Sequence, residues 1–99
     1  MTNRLVDQTS APGILRKGIE AMEQRAQLRD KPEGERSMAK TVALFNTYTG
    51  NNISEADGWS FMIFLKMVRS QGGSFHEDDY VDGASFFGLL GECENKTRE

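Results

Sequence analysis

The sequence predicts an all-α chain, a small antiparallel bundle of about four helices. Three observations predict it. Apolar residues recur at spacings of three and four in four segments, and clusters of Gly, Pro and Asn separate those segments. The β-branched residues are scattered through helical periods, with no β-hairpin signal. At 99 residues the chain has room for one hydrophobic core. The expected organisation is a mobile N-terminal arm over residues 1–9, a single helical domain over 10–92 and a polar, frayed tail over 93–99.

The first helix is expected from Ser10 or Ala11, where Ser10 can accept a backbone N–H bond and Pro12 is tolerated in a first turn. Leu15, Ile19, Met22 and Ala26 share its apolar face, and Arg16, Lys17, Glu20, Glu23 and Arg25 are left mainly for solvent. Pro32 and Gly34 break it. The second helix is expected from about Glu35 to Thr49, with Met38, Val42, Phe45 and Thr49 inward and Gly50 as its stop. Ser54-Glu55-Ala56-Asp57 reads as a capped start for the third, which runs to about Ser70. Apolar residues from Trp59 to Val68 cover more than one face of this helix, so it is expected to be central and buried by several neighbours or by another subunit. Gly72-Gly73 ends it, and Asp78 or Asp79 can start a fourth helix that reaches about Glu92. Glycine costs about 1 kcal/mol inside a helix relative to alanine. Ala84, Gly88 and Gly91 fall on one face of the fourth helix, which predicts a close approach by another backbone.

The composition excludes several classes. A net charge of −3 argues against general nucleic-acid or anionic-membrane binding. The single Cys93 admits no internal disulfide, and with one histidine, His76, it leaves no Cys/His zinc set. Met1–Ser10 has no apolar stretch of the secretory kind, and Trp59–Val68 is about half the length needed to span a bilayer. The expected location is therefore the cytoplasm.

Four groups of residues could carry chemistry. Asp79 and Asp82, with Asp78 beside them, place carboxylates on one face of the fourth helix, where they cap the helix or hold a cation. Lys66 and Arg69, three apart on an apolar helix, hold a phosphate or pair with that acidic start. Glu20 and Glu23 share a face of the first helix as solvated surface or as metal ligands, and Arg29 with Gly34 brackets a loop suited to an anion. Cys93 lies between Glu92 and Glu94, without the electropositive surroundings of a nucleophile.

Arg29-x4-Gly34, Leu65-Lys66-x-x-Arg69 and Asp78-Asp79-x-x-Asp82, with Phe86 following, resemble a functionally uncharacterised family of short helical phage and prophage proteins. The resemblance spans about Ile14 to Leu90. Glu33 stands where the family has a loop tyrosine, and Ser85-Phe86 where it has Gly-Tyr. More distantly, a Glu-x-x-Glu helix followed by an acidic-x-x-Asp helix is similar to the MazG-type all-α nucleoside triphosphate pyrophosphohydrolases. That similarity implies Glu20, Glu23, Asp79 and Asp82 as Mg²⁺ ligands and Lys66 with Arg69 as phosphate holders. Ala21 and Met22 fill the gap where the MazG type shows a further glutamate.

The leading expectation is a phage-type accessory protein that acts without catalysis and without a cofactor, binding a host protein or a small nucleotide. It is expected to self-associate through a packing face of Trp59, Met62, Ala84, Gly88 and Gly91. The alternative is a Mg²⁺-dependent MazG-like pyrophosphohydrolase.

Overall fold

The computed structural model describes residues 9–28 and 37–98. Four helices run through them, α1 (Ala11–Leu28), α2 (Met38–Thr49), α3 (Glu55–Ser70) and α4 (Glu77–Arg98), with no strand among the described residues. The principal contacts join α1 to α4, α4 to α3 and α3 to α2, a succession of pairs. Among the described residues no helix is long and apolar enough to cross a membrane. The expected arm lies outside the described residues except for Thr9, and so does the Arg29–Gly34 loop.

Local chemistry places each element. Ser10 Oγ accepts the Gly13 N–H at 3.1 Å and opens α1. At α3 the Ser54 hydroxyl accepts from the Asp57 N–H while the Asp57 carboxylate accepts from the Ser54 N–H, a complete capping box. Gly50, in the left-handed conformation at φ 77°, closes α2 by donating to the Asn46 carbonyl. The Asn46 side chain then clamps the turn. Its Nδ2 donates to the Ile53 carbonyl and its Oδ1 accepts the Ile53 N–H, both at 2.9 Å.

The core lies where α3 meets α4. Trp59, 4% exposed, stands 5.8 Å from the Phe86 ring, and Val42, Val81 and Leu89 are the other buried apolar side chains among the described residues. Lys66 lies beside Asp82, and Glu55 lies beside Cys93, so α3 and α4 run antiparallel.

Several expectations are corrected. The inward face of α1 is turned by about one position: Leu15 and Ile19 are exposed, while Gly18 is buried against α4. A Cβ on Gly18 would come 2.8 Å from Ser85 Oγ, and one on Gly58 would come 2.8 Å from Val42 Cγ2. These are the glycines that admit close helix contact. Gly88 and Gly91 are exposed with open space at the Cβ position, so among the described residues no other helix of the same chain makes the expected close approach to them. α4 does not end near Glu92 but continues through Cys93–Arg98. The Thr97 hydroxyl bonds the Cys93 carbonyl, Arg98 pairs with Glu94, and Lys96 and Arg98 sit at the negative end of the helix dipole. α3 is covered by α4 and in part by α2, which leaves Phe61, Phe64, Met67 and Val68 exposed.

Candidate functional site

Of the charged residues predicted to carry chemistry, Lys66 and Asp82 meet, and Arg25 and Lys17 of α1, expected to face mainly solvent, join the acidic start of α4 beside them. Lys66 Nζ, on a side chain 13% exposed, lies 3.0 Å from Asp82 Oδ2, and Arg25 reaches Asp82 Oδ1 at 3.7 Å. Asp82 thus sits between cations from two other helices. Lys17 Nζ bonds both oxygens of Glu77 at 2.7 and 2.8 Å. Arg69 is exposed and forms no ion pair among the described residues, and the candidate Arg29 lies outside them.

The carboxylates do not gather. Glu20 and Glu23 are exposed, Asp79 and Asp82 are half-buried, and among the described residues no three Asp, Glu, His or Cys side chains are grouped to hold a metal ion. Glu77, Asp78 and Asp79 fall in the first turn of α4, where they complement the positive end of its dipole. Trp59 is enclosed by its own chain, with Nε1 donating to Glu55 at 3.4 Å. Cys93 borders a cavity of about 120 Å³ beside Trp59 and Lys96. Burial pushes its thiol above the ordinary value, and the carboxylates of Glu55 and Glu94 add to that, so the thiolate a nucleophile requires is disfavoured.

A larger concave surface lies elsewhere. A groove of about 530 Å³ runs between α2 and α3, walled by Met38, Val42 and Phe45 on one side and by Phe61, Met62 and Phe64 on the other. Thr41 also lines it, but its hydroxyl donates to the Ser37 carbonyl at 2.9 Å, so its hydrogen-bonding capacity is turned back onto its own helix. Thr47 and Thr49 do the same to Ala43 and Phe45. The one charged side chain of α2 is Lys40.

Residues 14–94 match the family model described as a domain of unknown function, DUF6378. The chain belongs to the DUF6378 family. No curated protein and no solved structure matches it.

The DUF6378 span begins in α1 and runs past Leu90 to residue 94, so it takes in both the ion pairs of α1, α3 and α4 and the α2–α3 groove. Within it, sequence reasoning found Lys66 and Asp82 through their spacing and the turn between them. Arg25 was read as solvated, although it stands two turns from Lys17 on a helix that faces an acidic one. The groove itself was missed. Its α2 wall of Met38, Val42 and Phe45 lies within the stripe predicted to face inward, and the unused signal was the uncharged Thr41, Leu44 and Tyr48 beside that stripe.

Proposed function

We propose that this DUF6378 chain is a non-catalytic accessory module that works by docking an apolar protein surface into the α2–α3 groove. The observation that carries this reading is the groove itself, with Phe61 69% and Phe64 60% exposed at its edge. An apolar patch of this kind on a small chain costs free energy unless a partner covers it. The polar side of the molecule supports the same reading. Lys66 and Arg25 are engaged by Asp82, which leaves a phosphate fewer cations to meet. A phage-type accessory role in the bacterial cytoplasm, suggested by the Leu65-Lys66-x-x-Arg69 and Asp78-Asp79-x-x-Asp82 patterns, agrees with a protein that acts through association.

Native mass spectrometry of the chain in a lysate of its bacterial host tests the proposal. The expected spectrum shows protein assemblies heavier than the 11.1 kDa chain with no retained nucleotide. A lone chain carrying a nucleotide would contradict it.

A further inference from the structure

We infer that the occupant of the α2–α3 groove is the same face of a second copy, so that two chains form a two-fold dimer. The inference rests on the docking reading above and names its partner. Thr41, Leu44, Phe45 and Tyr48 stand at i, i+3, i+4 and i+7 on α2 and form one stripe beside the groove. Phe61, Phe64 and Val68 form a matching stripe on α3. Leu44 is 72% exposed and Tyr48 88%. An aromatic side chain can bury about 150–250 Å². At these exposures Phe45, Tyr48, Phe61 and Phe64 offer roughly 400–650 Å² per chain, and Leu44 and Val68 add to that, which brings the face close to the roughly 800 Å² that each partner contributes to an interface of standard size.

The charges permit a copy of the chain to meet itself. In a two-fold interface a surface meets itself, so a face of one sign would repel. This face carries one charge of each sign, Lys40 on α2 and Asp57 in the groove wall. The side chains of the stripes are apolar apart from two hydroxyls: that of Thr41 already donates to the Ser37 carbonyl, and that of Tyr48 lies at the end of an 88% exposed side chain within reach of solvent. The six large side chains, three on each helix at helical spacing, can interdigitate with the same groups of a partner, as facing helices do in a bundle.

Sedimentation equilibrium at roughly micromolar concentration, with circular dichroism to follow folding, tests the inference on the full chain. The wild type should sediment at twice the 11.1 kDa chain mass. Phe61→Glu with Phe64→Glu should weaken the dimer by at least about 100-fold, because it places charges in an apolar interface, while helix content is kept. Phe87→Glu alters an exposed aromatic of α4, outside this face, and should leave the dimer intact. A dimer that survives the double variant, or that dissociates with Phe87→Glu alone, overturns the assignment of the face. A folded wild-type monomer overturns the second copy as occupant, and if the native spectrum nevertheless shows a complex with another protein, the docking reading stands without it.

Discussion

Gly58 decides how closely α2 lies on α3. A Cβ there would meet Met38 Sδ at 2.5 Å and Val42 Cγ2 at 2.8 Å. Methionine can move aside, but a valine in a helix is held to essentially one rotamer. Gly58→Ala gains about 1 kcal/mol of helix propensity and costs about 1–3 kcal/mol of overpacking. A net loss of about 1–2 kcal/mol in urea denaturation is expected. In a Val42→Ala background the loss should shrink by about 0.5 kcal/mol or more, because the clashing methyl is gone. Purely additive effects would show that the two groups do not press on each other. Gly18 was hidden from sequence reasoning for a related reason. A glycine inside a helix signals close packing, yet which glycine is packed depends on the partner helix, and Gly88 and Gly91 gave the stronger pattern while facing open space.

At the scale of elements, the helix starts were legible because their signals are local. Ser54 and Asp57 lie three residues apart and form the capping box that their order implies. The end of α4 was not legible, since Cys93–Arg98 is polar and has no apolar period, while the helix there is held by the Thr97 bond to Cys93 and the Arg98–Glu94 pair. Cys93, Lys96 and Thr97 line the same cavity as Trp59 and Glu55, so the last turns of α4 flank the core tryptophan. Removing residues 93–99 should therefore lower Tm by at least about 4–8 °C, the shift that corresponds to 1 kcal/mol in a chain of this size. An unchanged Tm in a thermal scan would return this segment to the role of a frayed tail. The rotation of α1 has the same origin. Leu15 and Ile19 are the larger apolar residues, but the side facing α4 is the one where Gly18 permits close approach and Lys17 reaches Glu77.

For the whole molecule, fold class and helix count followed from periodicity, whereas the site required three-dimensional placement. Lys66 and Asp82 were legible as a pair across the Gly72-Gly73 turn, but the insertion of Arg25 from α1 depends on how that helix crosses α4. That arrangement gives Asp82 a structural role, which one experiment can separate from the metal-binding role expected of it in a MazG-type enzyme. Asp82→Asn removes the charge at nearly constant volume and leaves Lys66, a mostly buried cation, without its anion. The decisive measurement pairs urea denaturation of the wild type and Asp82→Asn with Mg²⁺-dependent pyrophosphate release from nucleoside triphosphates. An association module predicts a variant less stable by about 1–3 kcal/mol and no release from either protein. Robust release by the wild type that vanishes in Asp82→Asn, with stability unchanged, would contradict the account.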